Sequence, residues 1–203
     1  MSTAAEDFVD SLLAQHQQIK VLFAQVDSAR GEHKEELFHE LVGVLAVHES
    51  LEQTLVHPLA QDKLDDGEAA VGARLAEEED AKDALARVYD LGVMHPDFPT
   101  ELAALRDAVT AHAAAEEALE FPRLREVVEP AELEKMTSTM TAAAALSPTR
   151  PYSEVPSTVE PDSTGGAEPA VTPNPADNLF DGPPWEVFDR VRDALRDAKK
   201  VQS

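Results

Sequence analysis

The 203-residue chain contains no cysteine, and this absence removes several kinds of chemistry at once. Without thiols there is no disulfide bond, no thiolate nucleophile, and no zinc or iron–sulfur site held by cysteine. Long apolar runs are missing too, since no segment approaches the roughly 20 residues of a membrane-spanning helix. The N-terminal segment MSTAAEDFVD has neither the basic nor the continuous apolar region of a signal peptide. We therefore expect a soluble, cytoplasmic protein with no membrane partner.

Basic residues are scarce as well, with 17 Lys and Arg against 40 Asp and Glu, which gives a formal net charge of -23. Such a charge repels phosphate backbones and anionic lipid surfaces, so nucleic acid is not expected as a partner. Cations are the more natural ligands of an acidic chain. Because cysteine is absent, any metal ligands must be histidine, aspartate or glutamate side chains.

Four segments of the chain show apolar residues at intervals of three or four, which is the period of a helix with one buried face. β-strand signals are absent, and turns are predicted at Arg30-Gly31, at Asp65-Asp66-Gly67 and in the loop HPDFP. Short connections make consecutive helices antiparallel, so residues 1–146 are predicted to form an up-down-up-down four-helix bundle with a short trailing helix. The predicted buried stripes include Phe8, Leu12, Ile19 and Phe23; Leu41, Val44 and Leu55; Val71, Leu75 and Leu85; and Leu105, Val109 and Leu119.

The remainder of the chain changes character after Leu146. Residues 147–178 are rich in Pro, Ser, Thr and Gly and carry little apolar surface, which predicts an extended linker. In residues 179–203, Trp185, Phe188, Val191 and Leu195 recur at helical spacing. The predicted fold class is therefore all-α, with a C-terminal extension that ends in an amphipathic helix and docks on the bundle or on a protein partner.

Each apolar stripe is interrupted by side chains of the types that bind metals. Counting residues from the predicted turns places all of them at one height in the bundle, where they form one layer. Imidazole and carboxylate together suit iron, manganese or zinc, and carboxylates from two helices can bridge two ions. A buried polar network without metal and a single-ion site remain open alternatives. The six candidate ligands are His16, His48, Glu52, Glu78, His112 and Glu116.

Neighbouring polar residues are assigned to the surface. Glu79 or Glu117 replaces Glu78 or Glu116 as a ligand only if the helix rotates or bulges. His57, which precedes a proline near a helix end, is expected at the surface, and the alternative is a position from which it bonds to one of the ligands. A solvated acidic face is expected for Glu77, Glu79, Asp80 and Glu117.

The motifs LLAQHQQI, HESLEQTLVHP and HAAAEEALEFPRL, in this order and spacing, resemble those of the hemerythrin-like, or HHE cation-binding, family. The resemblance covers about residues 5–126. It implies a four-helix bundle around a non-heme di-iron centre. By the resemblance, the ligands that carry over directly are His16, His48, Glu52, His112 and Glu116.

The third helix departs from the family pattern. Oxygen-carrying hemerythrins have two histidines one turn apart there, whereas AEEEDAKDAL places Glu78 and Lys82 at these positions. The resemblance implies a di-iron protein, and we expect it to bind or reduce dioxygen, peroxide or nitric oxide. The departure in the third helix counts against reversible oxygen carriage. The activity could be peroxidase-like or catalase-like turnover, and manganese could take the place of iron. The alternative functions are iron or oxygen sensing through the C-terminal helix, iron buffering, and a structural bundle without metal.

Overall fold

A computed structural model describes residues 7–133, 135–137 and 183–201, and this part of the chain contains helices and no strand. The predicted linker at residues 147–178 lies outside the described residues. Two of the helical segments are π-helices, in which each turn holds one residue more than in an α-helix. The segments are α1 (Phe8–Ser28), α2 (Glu32–Leu51), π1 (Glu52–Val56), α3 (His57–Lys63), α4 (Gly67–Leu91), α5 (Phe98–Ala115), π2 (Glu116–Glu120), α6 (Phe121–Val127) and the C-terminal helix (Pro184–Val201).

The bundle consists of four rods, because α2, π1 and α3 follow one another without a break, as do α5, π2 and α6. Helix α1 packs against α2 and α5, and α4 packs against α3 and α5. With short connections between the rods, consecutive rods run in opposite directions. The structure thus confirms the predicted all-α, up-down-up-down four-helix bundle. Helical residues at 130–133 and 135–137 correspond to the start of the predicted trailing helix.

The apolar core is divided into two clusters along the bundle. Leu12 and Leu51 belong to one cluster, and Ile19 and Leu41 belong to the other. His16 lies on α1 between Leu12 and Ile19, so the layer of polar side chains separates the two clusters. Apolar packing on both sides of this layer holds its residues in place and keeps water away from them.

Both π-helices begin at a predicted ligand and end just before a proline. The backbone N–H of His57 donates to the carbonyl of Glu52, and that of Phe121 donates to the carbonyl of Glu116. Pro58 and Pro122 follow directly. Proline lacks an N–H and its ring clashes with the carbonyl four residues earlier, so a widened turn relieves the strain. The helix therefore continues past Pro122 to Val127.

The extra residue in each bulge rotates the side chains that follow it. Leu119 is 63% exposed whereas Glu120 is 4% exposed, so the prediction that Leu119 belongs to the core is wrong. Leu75 was also placed in the core and is 43% exposed, because the buried face of α4 follows Val71, Glu78 and Leu85. These two corrections concern which side of a helix faces inward and leave the helix bounds unchanged.

The C-terminal helix packs on the bundle, mainly on α2 and also on α4 and π1. Val187 and Val191 are fully buried in this contact, and the Trp185 ring meets the Tyr89 ring edge to face at 6.2 Å between centroids. The sequence left open whether this helix docks on the bundle or on a protein partner. In the described residues it contacts the bundle. No helix within the described residues is long and apolar enough to cross a membrane.

Candidate metal centre

The structure brings all six predicted ligands together in the middle of the bundle, and all six are buried. Each of the four rods contributes one or two of them, at the same height in the bundle, as counting from the turns predicted. The donor atoms fall into two groups, and within each group they lie within 4.8 Å of one another. The first group contains His16, His48, Glu52 and Glu116, and the second contains Glu52, Glu78 and His112. Glu52 belongs to both groups.

In the first group, two imidazole nitrogens and two carboxylates converge. His16 Nε2 lies 3.1 Å from His48 Nε2 and 3.3 Å from Glu116 Oε2. His48 Nε2 lies 2.9 Å from Glu52 Oε1. The Phe121 ring stacks on His16 at 5.8 Å between centroids and covers this side of the group. Four donor atoms from three rods thus face one small volume.

His112 connects the two groups, because its Nε2 is 3.6 Å from Glu52 Oε2 and 3.6 Å from Glu116 Oε2. Glu52 turns one oxygen toward His48 and the other toward His112. A carboxylate placed in this way can bind one cation with each oxygen. The arrangement therefore has the form of two adjacent cation sites joined by the Glu52 carboxylate.

The outer nitrogen of each imidazole is held by an oxygen acceptor. The Nδ1–H of His16 donates to Glu117 Oε1 at 2.9 Å, and that of His48 donates to Gln15 Oε1 at 2.8 Å. The Nδ1–H of His112 donates to Glu77 Oε2 at 3.0 Å. In the neutral form, a ring that carries its proton on Nδ1 presents its Nε2 lone pair to the centre, which is the pattern of metal-binding histidines.

These contacts revise the roles expected for the neighbouring glutamates. Glu116 is fully buried and belongs to the first donor group, whereas Glu117 lies outside both groups and accepts a hydrogen bond from His16 at the rim. Glu77 is half-buried. One of its oxygens accepts a hydrogen bond from His112 Nδ1–H, and the other pairs with Arg74 at 2.9 Å. Glu79 is exposed, as expected. The expectation of a wholly solvated face is therefore wrong for Glu77 and Glu117.

The structure places His57 in the interior beside Glu78, so the surface position expected for it is wrong and the alternative position is the one observed. His57 is 4% exposed, and its Nε2–H donates to Glu78 Oε1 at 2.5 Å. Gln53 Nε2 donates to the other oxygen, Glu78 Oε2, at 2.6 Å. The π-bulge explains the error, because it places His57 on the same side as Glu52 although five residues separate them. The proline six residues after Glu52 and again after Glu116 is the sequence signal that marks both bulges.

The surroundings shift the pKa values of the ligand candidates in opposite directions. Burial, reinforced by the charge of Glu52, raises the pKa of Glu116 well above its ordinary value. Burial opposes ionisation of Glu52 too, but His48 and His112 outweigh it and hold the pKa of Glu52 well below its ordinary value. Burial, with His48 nearby, lowers the pKa of His16 to about 4. For His112, burial acts in the same direction, but the neighbouring carboxylates, Glu52 first, raise its pKa to about 9.

Several buried donor atoms in the described residues lack a partner, and this fits the binding of metal at the centre. Both carboxylate oxygens of Glu52, both of Glu116, and Nε2 of His112 are buried, yet none has a hydrogen-bond partner within residues 7–133, 135–137 and 183–201. Buried polar atoms without partners are costly. A cation satisfies several of them at once, and imidazole with carboxylate is a donor set that suits iron or manganese.

Lys82 lies one turn after Glu78 on α4, at the position where the resemblance led us to look for a second histidine. Its Nζ lies 2.7 Å from Glu49 Oε1 and 3.9 Å from Glu78 Oε2. Burial raises the pKa of Glu49 to about 8, against the opposing effect of Lys82. A lysine side chain in place of an imidazole leaves this side of the second group with Glu78 as the donor from α4.

The comparisons with known proteins agree with this geometry. The hemerythrin HHE cation binding domain family matches residues 7–139, and the chain belongs to that family. A crystal structure of a hemerythrin HHE cation binding domain-containing protein from Mycobacterium kansasii is similar, with 26% sequence identity and a TM-score of 0.60. The similarity covers 68% of this chain and 84% of that one. No curated protein matches.

Proposed function

We propose that this chain is a non-heme di-iron protein that binds or reduces a small oxidant, namely dioxygen, peroxide or nitric oxide. The observation that carries the proposal is the Glu52 carboxylate shared by two groups of donors. Membership of a cation-binding family supports it. Manganese accepts the same donors, so the identity of the metal is part of the proposal. The cytoplasmic location expected from the sequence stays a prediction.

The donors divide between the two ions by proximity. His16, His48 and Glu116 would hold one ion, Glu78 and His112 would hold the other, and Glu52 would contribute to both. Bound iron would supply the electrons that a small oxidant accepts. The chain would orient the imidazoles through their Nδ1–H bonds and exclude water through the apolar clusters on either side.

The adjoining cavity favours a small reactant. Its volume is about 50 Å³, and its lining includes His48, Glu52 and His112 together with apolar side chains such as Ile19 and Leu105. A water molecule needs roughly 10–15 Å³ of such space, so the cavity holds only a few atoms. Dioxygen, nitric oxide and hydrogen peroxide are of this size. Peroxidase-like or catalase-like turnover is the activity we propose to test.

Metal content per chain is the decisive measurement. The protein is purified without chelators or reconstituted anaerobically with ferrous iron, and elemental analysis is combined with the optical spectrum of the same sample. Two irons per chain with near-ultraviolet oxo-to-iron absorption support the proposal, as does a spectral change on addition of hydrogen peroxide. No bound iron or manganese after reconstitution would refute it. Iron buffering predicts loading well above two per chain, so the same measurement decides that alternative.

One observation favours a second candidate, an iron or oxygen sensor that signals to a protein partner through the C-terminal helix. Phe188 of that helix lines the cavity beside the metal centre, so the two are in contact. A sensor predicts that hydrogen exchange at residues 184–194 differs between metal-loaded, oxidised and metal-free protein. Equal exchange in all three states would refute the sensor function and would not affect the proposal that the protein binds an oxidant.

A further inference from the structure

The cavity beside the metal centre is bounded on one side by a residue from outside the bundle. Phe188 of the C-terminal helix lines it together with His48 and Glu52. The fully buried Val187 and Val191 fix the helix against the bundle near this point. The helix lies beyond residues 7–139, which the family matches. The position of Phe188 is therefore a property of this chain and does not follow from its family.

An open groove lies on the other face of Phe188. Its volume is about 400 Å³, and it runs between α4 and the C-terminal helix, with Trp185 and Arg192 in its lining. Lys82, Leu85 and Phe188 line both this groove and the inner cavity. Side chains shared by two adjoining spaces form the wall between them. The wall separates the metal centre from the surface by the thickness of a few side chains.

Contacts with neighbouring residues hold the side chains of this wall in place. Lys82 Nζ lies 6.0 Å from the centroid of the Phe188 ring, a distance at which a cation is attracted to an aromatic face. The same Nζ is anchored by Glu49 at 2.7 Å. Leu85 is buried and belongs to the core. Of the three, the half-buried Phe188 is the side chain whose removal joins groove and cavity with the least change to the bundle.

We propose that Phe188 controls entry to the metal centre from this groove and selects reactants by size, so that molecules of a few atoms pass and branched alkyl hydroperoxides do not. The selection among oxidants rests on the proposed function, whereas the separation of groove and cavity by Phe188 does not. The apolar ring and Leu85 make the passage unfavourable for charged solutes, because these would lose their hydration at the wall. Uncharged hydrogen peroxide, dioxygen and nitric oxide avoid the cost of moving a full charge past the wall.

The first test uses full-length, metal-free protein and needs no activity. Diethyl pyrocarbonate modifies unprotonated histidines, and mass spectrometry gives a separate rate for His16, His48 and the exposed His33. For Phe188→Ala we expect about tenfold faster modification of His16 and His48, since a standing passage replaces rare local opening. The rate at His33 serves as the internal reference and stays constant.

Two matched variants separate the wall from general loosening. Trp185→Ala removes a ring of the same helix that lines the groove and not the cavity, and the His48 rate is expected to stay at the wild-type value. Phe188→Leu keeps apolar bulk and is expected to restore a rate close to wild type. Melting temperatures are recorded for all variants. Equal acceleration in Trp185→Ala and Phe188→Ala would overturn the assignment to Phe188.

The second test uses the iron-loaded protein and compares hydrogen peroxide with tert-butyl hydroperoxide by the rate of the spectral change. Phe188→Ala is expected to raise the rate with the alkyl hydroperoxide about tenfold relative to hydrogen peroxide. Unchanged histidine modification in folded Phe188→Ala would overturn the proposal and direct attention to the groove beside His57 and Glu78. Faster histidine modification in a protein that binds no iron would refute the proposed function but support the closure by Phe188.

Discussion

His16 and His48 present their Nε2 atoms to each other at 3.1 Å, while the Nδ1–H of each ring donates to an oxygen on the outside, Glu117 for His16 and Gln15 for His48. When both rings are neutral, both Nε2 atoms carry lone pairs, and the contact is repulsive. Binding of a cation by both nitrogens turns this repulsion into attraction. Burial keeps His16 neutral, since its pKa is lowered to about 4.

A divalent metal should therefore stabilise the fold. At a free ferrous iron concentration of 100 times the Kd, linkage predicts a gain of about 2.7 kcal/mol for one site, seen as a higher Tm under anaerobic conditions. His48→Ala should lose most of the gain because it removes a donor of the first group. His33→Ala, whose side chain is 69% exposed, is the control. An undiminished gain in His48→Ala would contradict the assignment of His48 as a ligand.

Metal stoichiometry should distinguish the shared carboxylate from an unshared one. Glu52→Gln removes a charged donor from both groups, so the expected loading falls from two ions per chain toward zero. Glu78→Gln affects the second group alone and should leave about one ion. Elemental analysis after desalting measures both, with the exposed Glu79→Gln as control. Two ions retained in Glu52→Gln would show that Glu52 does not join the sites.

His57 should act on metal affinity through Glu78. Loss of a hydrogen bond to a ligand commonly weakens metal binding about 10–100-fold, and we expect this range for His57→Ala. His57→Gln, whose amide N–H can still donate to Glu78, should recover part of the affinity. Competition with a coloured chelator gives the affinities, and the exposed His95→Ala is the control. Wild-type affinity in His57→Ala, despite any loss of stability, would rule out the positioning role.

Metal uptake should release protons below about pH 9. His112 in the metal-free protein has its pKa raised from 6.5 to about 9, and a metal binds only the deprotonated ring. Apparent affinity should thus rise with pH, by up to about tenfold per unit for one proton, until pH approaches 9. In the metal-free fold the sign is opposite: the stabilisation from protonated His112 is complete below pH 6.5 and is lost as pH rises through about 9.

Isothermal titration in buffers of different ionisation enthalpy counts the released protons. His112→Gln should flatten the pH dependence while keeping the first group of donors. A protein whose affinity does not change between pH 7 and about 9 would show that His112 is not a ligand, or that it is neutral before metal binds.

Much of the candidate site was predictable because it follows from local periodicity. His48 and Glu52 are one turn apart, so they must share a face of the helix whatever surrounds them. The turns at Gly31 and Gly92, where φ is 59° and 72°, set the lengths of the rods. Rod lengths in turn determine which residues meet at one height. Counting from the turns therefore brought the ligands of four helices into one layer.

Errors arose where one extra residue entered a helix. The bulge at Glu52–Val56 turned His57 inward, and the bulge at Glu116–Glu120 exchanged Leu119 for Glu120 at the buried face. An apolar pattern read with a constant period of 3.6 residues does not predict such an extra residue. The prolines that follow both bulges were visible in the sequence, but their effect depends on whether packing favours a bulge or a kink.

The sequence by itself determined the class of fold and the donor set, since the helical period, the turns and the absence of cysteine act locally or by exclusion. Tertiary structure alone decided the partners that those donors acquired. Gln15 is 33 residues from His48, and Glu77 is 35 residues from His112, so neither hydrogen bond has a local cause. Phe188 reaches the cavity only because Val187 and Val191 bury themselves against the bundle, a contact created by packing between distant segments.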